Sequence, residues 1–426
     1  MADATQYKKV KQIIESDPAR QVVIVSAPGK RFSADHKITD LLYLCNAHIK
    51  YGVDCTPVFH IIENRFLSIR DELGIDLPLE EDFTKFKTDL ENKKLSEDEI
   101  VSRGEYFSAK LMAAYLGYAF LDANKWVRFK YDGKVDTTAT YEALQEKMQL
   151  PGIVVPGFYG TMPDGRIKTF SRGGSDITGA LAAAALDAEV YENWTDVSGI
   201  LMADPRIIEN PQTIPFITYA ELRQLSFFGA QVLHEDTIFP VREKGIPINI
   251  RNTNQPDHLG TMIQDSYELK NNDLFLTGIT GKQDFTIISL EKNGMSNEVG
   301  TFRKILSVFE EYNISVEYMT NGIDSVAFAI RSEIITKNLY QVINDIQKNV
   351  APDSLDVYER IAIVGAVGRN MASRPGASGK IFAALGNAGI NVRMITQGPA
   401  EMNIIFGVEN RDFKTAISLL YTNFVH

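Results

Sequence analysis

The chain carries two cysteines in 426 residues, no apolar run longer than seven, no basic block and no CxxC or HExxH spacing. Each absence excludes a class. Cys45 and Cys55 cannot build a disulfide framework and read as reduced, buried thiols, which fits a cytoplasmic protein. The longest apolar run, 180–186, falls far short of the ~20 residues that span a bilayer. Residues 1–17 have neither an apolar core nor a small-residue cleavage site, so they do not read as a signal peptide. Without a secretion signal, the glycosylation patterns at Asn193-Trp194-Thr195 and Asn313-Ile314-Ser315 mean little. Lys plus Arg number 44 and Asp plus Glu 55, giving a net charge of −11. An acidic chain of this kind is a poor match for nucleic acid or an anionic membrane. The same scarcity of Cys and His pairs argues against a structural zinc site, and no metal-ligating cluster is expected.

What is present is patterned. Residues 6–16 place Tyr7, Val10, Ile13 and Ile14 on one helical face, and Asp17-Pro18 ends the helix. Residues 21–26 form a β-branched run that predicts a strand buried on both sides. The Ala27-Pro28-Gly29-Lys30 loop and a helix over 38–50 follow, the unit of a parallel α/β sheet. Residues 58–100 read as helical, and 105–117 as an amphipathic helix opening with Glu105. Further expectations are a buried strand at 152–156, a hairpin over 158–170 and an Ala-rich helix over 177–187. Strands at 189–193 and 246–251 and a linker at 252–273 complete the first part.

The last third repeats itself. A shift of 76 residues lays Ile287 on Ile363, Met295 on Met371, Gly300 on Gly376 and Lys304 on Lys380. Ile305, Ile314, Val316 and Thr320 fall in the same way on Ile381, Ile390, Val392 and Thr396. Each copy reads strand (285–290), Gly-containing loop, helix (301–311), strand (314–319) and a further strand, so two small α+β modules that pack together are expected.

The sharpest local motif is Arg172-Gly173-Gly174-Ser175-Asp176. Two glycines admit a close backbone approach, and the loop opens onto a helix N-terminus that favours anions. Arg172 offers a bidentate fork to a carboxylate, and Asp176 could bind a metal or orient a substrate amine. The alternative is a plain cap, with Ser175 or Asp176 capping the helix. Ser26 and its loop lie at the C-terminal edge of a parallel strand, where open α/β sheets bind ligands. Glu105, read locally, is favoured by the dipole of the helix it opens. No P-loop or dinucleotide pattern occurs, and Gly278-Ile279-Thr280-Gly281-Lys282 has the wrong spacing.

In combination these stretches resemble the aspartate kinase family. VSAPGK (25–30), IT (38–39), SRGE (102–105), FSRGGSD (170–176), TDVSGILMADPR (195–206), FGAQVLH (228–234) and the 76-residue repeat occur in family order over nearly the whole chain. The resemblance implies an amino-acid-kinase-like α/β sandwich with a mainly parallel sheet over 1–265. Two α+β, ferredoxin-like ACT domains over 274–350 and 351–426 would follow. It implies transfer of a phosphoryl group from ATP, with Mg2+, to L-aspartate, the first step toward lysine, threonine and methionine. Arg172 would grip the aspartate α-carboxylate, Glu105 its α-amino group, and Thr39 and Ser175 would help to position it. Asp176 would organise the reacting end, and the Ser26 loop would lie beside the transferred phosphoryl group. Thr195, Asp196, Asp204, Arg206 and Gln231 would line the nucleotide site. In the ACT part, the Met295, Val299 and Gly300 loop would face Val316, Glu317, Asp324 and Ser325 across an effector pocket. Two acids there favour lysine as effector over threonine. A homodimer or higher homo-oligomer through the ACT domains is implied.

Two departures bear on activity. The family opens with a strand and a Lys-Phe-Gly-Gly-(Thr/Ser)-Ser loop whose lysine contacts the phosphates, whereas residues 1–4 here already enter the first helix. Gln231 stands where many relatives carry a lysine. A chain without that cation is expected to be nearly inactive, which leaves a catalytically silent amino-acid sensor as the alternative. The repeated ACT pattern argues against glutamate 5-kinase or acetylglutamate kinase.

Overall fold

The computed structural model describes residues 1–147, 152–171, 173–227, 233, 235–266, 276–368, 371, 375–398 and 402–425. The chain divides into two units, one of Met1–Gly199 with Val232–Asp265 and one of Ile200–Gln231 with Ser266–His426. The expected domain boundary at 265 differs from this division, in which 200–231 groups with the C-terminal part. Hydrogen bonds give the reason. The Ile279 amide donates to the Met202 carbonyl at 2.7 Å, and the Gln212 amide to the Tyr421 hydroxyl at 2.8 Å. Asn403 donates to Gln224 at 2.6 Å.

In the first unit, strand Val22–Val25 runs parallel to Ile153–Pro156, which also pairs in parallel with Ala119–Phe120. Val22–Val25 is the edge of this sheet, so only Val25 is buried and its neighbours are half-buried. The expectation of a strand covered on both faces belongs instead to Ile153–Pro156, every residue of which is buried. A second group of strands has Tyr191–Thr195 parallel to Ile248–Asn252, and the latter antiparallel to Thr261–Gln264. That last strand lies inside the stretch read as linker. The helices Thr56–Leu73, Leu79–Glu91 and Glu97–Leu116 close a core in which Phe59, Phe66, Phe83 and Phe107 are fully buried. The Phe83 and Phe107 rings stack at 4.2 Å. Cys45 and Cys55 are buried, free thiols within that core.

The second unit carries the repeat as one six-stranded sheet. The copies of the first strand are Gly278–Glu291 and Ser354–Val367, offset by the expected 76, and they pair antiparallel to each other at the sheet centre. Ser325–Arg331 flanks one and Asn403–Glu409 the other, with Tyr318–Asn321 and Met394–Thr396 at the two edges. Gly300 and Gly376 precede the equivalent helices Thr301–Glu311 and Ala377–Asn387, with φ +89° and +84°. That left-handed backbone, rather than lack of space, calls for glycine at both. The strand expected at 314–319 is shorter and later, at Tyr318–Asn321.

Candidate active site

The site is built where parallel strands end. Strand Val22–Val25 delivers Ser26, exposed, at its C-terminal end, and the Gly157 amide donates to the Val25 carbonyl at 3.0 Å. Gly157 has no room for a side chain, since a Cβ would lie 2.5 Å from the Ser175 hydroxyl. Gly174 is constrained in return, because its Cβ would lie 2.3 Å from the Phe158 ring. These two glycines seat the start of helix Gly174–Ala185 against the end of the central strand, with Ser175 beside Gly157. Gly173, at φ +57°, is the cap, so neither Ser175 nor Asp176 caps the helix as one sequence reading had it. Both side chains sit inside its first turn. Arg172 lies outside the described residues.

Glu105 does not open a helix. Ser96 and Glu99 form a reciprocal capping box, the helix runs Glu97–Leu116, and Glu105 is on its buried face. Gly104 explains how the carboxylate gets there: a Cβ on it would lie 2.8 Å from the Ala27 Cβ and 3.3 Å from Leu42. The helix therefore passes close to the Ser26 loop, and the Ala27 amide donates to Glu105 Oε1 at 3.2 Å. Among the described residues Glu105 Oε2 is buried with no hydrogen-bond partner. Burial pushes the carboxyl up to about 8, against the opposing effect of the Ala27 amide. A buried acid with one oxygen unsatisfied is an open place for a cationic donor. Thr39, half-buried, stands in the first turn of Ile38–Tyr51, whose Ile38 amide donates to the Pro28 carbonyl at 3.1 Å. Ser26, Thr39 and Glu105 are thus joined through one loop, and Ser175 joins them through Gly157.

Asp176 is linked to the neighbouring strand. Asn193 Nδ2 donates to Asp176 Oδ1 at 3.0 Å and to the Tyr191 hydroxyl at 3.1 Å, while that hydroxyl donates to the Asp176 carbonyl at 3.2 Å. Two residues on, the Thr195 hydroxyl donates to Asp196 at 3.2 Å. Asp204 and Arg206 belong to the other unit and bind each other, Nη2 to Oδ2 at 2.6 Å, on the surface. Gln231 lies outside the described residues. Asn193 and Tyr191 were missed as site residues: the only sequence signal at Asn193 was the glycosylation pattern.

The amino acid kinase family model matches residues 1–252, and an ACT domain model matches 364–424. Aspartokinase 3 of Bacillus subtilis is 33% identical over 440 residues, covering all of this chain and 96% of its own length. The solved aspartate kinase of Clostridium acetobutylicum is 47% identical with a TM-score of 0.92, covering all of this chain and 97% of that one. The chain belongs to the aspartokinase family. E. coli aspartokinase III, solved with lysine and aspartate in its T-state, is 26% identical with a TM-score of 0.74 over the whole of this chain. Its R-state structure with aspartate and ADP is 25% identical with a TM-score of 0.73.

The residues read as the effector pocket are now distinguishable. Met295 is buried, Val299 is 97% exposed, and Glu298 between them is ion-paired with Lys292 and Lys304. Glu317 is also paired, with Arg331 Nε at 3.1 Å. Asp324 Oδ1, by contrast, is buried without a hydrogen-bond partner among the described residues, beside Ser325. Val316 lines a separate cleft of about 360 Å3 with Leu306, Phe309 and Ile314. Among the described residues no helix is long and apolar enough to cross a membrane, and no group of three His, Cys, Asp or Glu is placed to hold a metal.

Proposed function

We propose that the protein transfers the γ-phosphoryl group of ATP to the side-chain carboxylate of L-aspartate, giving 4-phospho-L-aspartate and ADP. The observation that carries this reading is Glu105, a buried carboxylate beside the Ser26–Thr39 loop, one oxygen of which has no hydrogen-bond partner among the described residues. The α-ammonium of aspartate supplies the missing donor. Arg172 takes the α-carboxylate, and Thr39 and Ser175 hold the substrate between them. Asp176, oriented by Asn193, organises the reacting carboxylate, while the backbone after Ser26 flanks the phosphoryl group. Thr195 and Asp196 serve the nucleotide. Phosphoryl transfer is mostly positioning and charge neutralisation, and these groups act in that way.

Magnesium fits this donor set. Mg2+ is bound through one or two carboxylates plus substrate phosphates rather than by a protein cage. The described residues hold no such cage, and Asp176 would be the carboxylate that holds the ion together with the phosphates. It supplies neutralisation of the phosphate charge. We read the ACT pair as the regulatory part, with lysine as the effector and Asp324 as the acid that holds its ammonium. Association of two or more copies through the ACT domains belongs to the same reading.

The test is an aspartate hydroxamate assay with ATP and Mg2+, together with calorimetric titration of L-aspartate. Saturable aspartate binding lost in Glu105→Gln is the expected result. Binding that is unchanged in Glu105→Gln removes the assignment.

A further inference from the structure

The loop over 26–37 has little regular structure, and its tip, 30–34, is exposed. It is nevertheless held from below by a group that the sequence reading did not single out. Arg65, on helix Thr56–Leu73, is 4% exposed, and Asp35, in the loop, is 7% exposed. Arg65 Nη2 donates to both Asp35 oxygens at 2.9 and 2.8 Å, and Arg65 Nη1 donates to the Gly29 carbonyl at 3.2 Å. Asp35 Oδ2 also accepts the Arg31 amide and Arg31 Nε, both at 2.9 Å. One guanidinium thus ties the outgoing limb of the loop, at Gly29, to the returning limb, at Asp35. Between those ties and the sheet lie Ser26 on one limb and Thr39 just past the other.

We propose that Arg65 and Asp35 are positioning residues that set the spacing of Ser26 and Thr39 for aspartate, a role separate from holding the domain folded. The argument is energetic. A buried ion pair gives little net stability compared with apolar residues of the same volume, yet breaking it by removing one partner is strongly destabilising. What the pair does supply is geometry. The guanidinium is planar and rigid and holds one limb through Nη2 and the other through Nη1, so it fixes where both limbs sit, which an apolar contact cannot. Small misplacements of substrate-binding groups cost activity out of proportion to their size. The inference rests on the proposed reading of Ser26 and Thr39 as substrate-facing.

The experiment uses the full chain and reads two quantities, the thermal midpoint and the L-aspartate dissociation constant by calorimetry. Arg65→Met alone is expected to lower both stability and affinity. In the double variant Asp35→Leu/Arg65→Met, the midpoint should return toward the parent while aspartate affinity stays weakened by about tenfold or more. Arg65→Lys, which keeps the charge but not the fork, should fall between parent and Arg65→Met in affinity. Recovery of both quantities in the double variant would show a merely structural pair and overturn the proposal. Should the double variant not recover its midpoint, Asp35→Asn decides: it preserves shape, and aspartate affinity equal to the parent's would overturn the proposal. Thr39→Val separates the two levels. If it leaves aspartate affinity at the parent value, the substrate reading of the loop fails and the clasp proposal with it. If it weakens binding while the clasp variants do not, only the clasp proposal fails.

Discussion

Asn193 holds the carboxylate of Asp176 from the adjacent strand, Nδ2 to Oδ1 at 3.0 Å. The same amide nitrogen is within reach of the Tyr191 hydroxyl, whose phenol burial pushes well up, so it stays neutral and available as a donor. The first prediction follows from this link. Asn193→Ala removes this one hydrogen bond to the Asp176 carboxylate and leaves Glu105, Thr39 and Ser175 in place. In steady-state assays kcat should fall roughly 10- to 100-fold while KM for aspartate stays within about threefold, the pattern of an interaction that matters in the transition state. A rise in KM with kcat unchanged would place Asn193 in ground-state binding instead.

Glu105 makes stability depend on pH. Its carboxyl titrates near 4.5 when solvated and at about 8 in the fold. Between those values the folded state keeps a proton that the unfolded state has released, so stability falls as pH rises through that window. The thermal midpoint of the parent should therefore decline more steeply from pH 5 to 8 than that of Glu105→Gln. Aspartate binding should behave oppositely. The ammonium favours the charged carboxylate, so binding below pH 8 releases a proton and tightens as pH rises. Calorimetry in buffers of different ionisation enthalpy reads that proton directly.

Gly104→Ala tests the close approach that brings Glu105 to the loop. The added methyl meets the Ala27 Cβ at 2.8 Å with Leu42 and Ile38 behind it. Overpacking of this kind costs about 1–3 kcal/mol, measurable in urea unfolding. The Ala27 amide should also lose its bond to Glu105, with weaker aspartate binding. A variant as stable as the parent, with parental affinity, would mean the helix and loop move apart freely.

For the effector, lysine titrated into the full chain should bind saturably and lose affinity in Asp324→Asn. Glu317→Ala should have the smaller effect, since Arg331 already neutralises Glu317. A coupling of ~1–3 kcal/mol between effector and substrate corresponds to roughly 5- to 150-fold in affinity. Threonine binding without lysine binding would reassign the effector, and binding of neither would remove the pocket.

Much of this arrangement was legible because it rests on local pattern. The constant 76-residue offset gave both central strands and both helices of the repeat, and the Ser175-Asp176 motif marked the helix that carries it. Glu105 was picked out by resemblance, but its place was misread. The helix start is set by the capping box at Ser96 and Glu99, and the apolar pattern from 105 onward concealed the earlier turns. Asp35 and Arg65 were invisible for a different reason. A charged residue in a charged helical stretch carries no mark of burial, and only the fold brings the pair together across thirty positions of chain. Asn193 likewise acquires its partner only through the pairing of neighbouring elements.

The central ladder of the C-terminal unit has a consequence for how that unit comes apart. Gly278 faces Val367 at one end and Glu291 faces Ser354 at the other, so each repeat provides half of the middle of a single sheet. Neither copy can unravel without stripping the other's innermost strand of its amide partners along one side. The two repeats therefore constitute one foldon. Their central amides should share a single, slow exchange rate with deuterium, and a ligand seated in one copy should protect both.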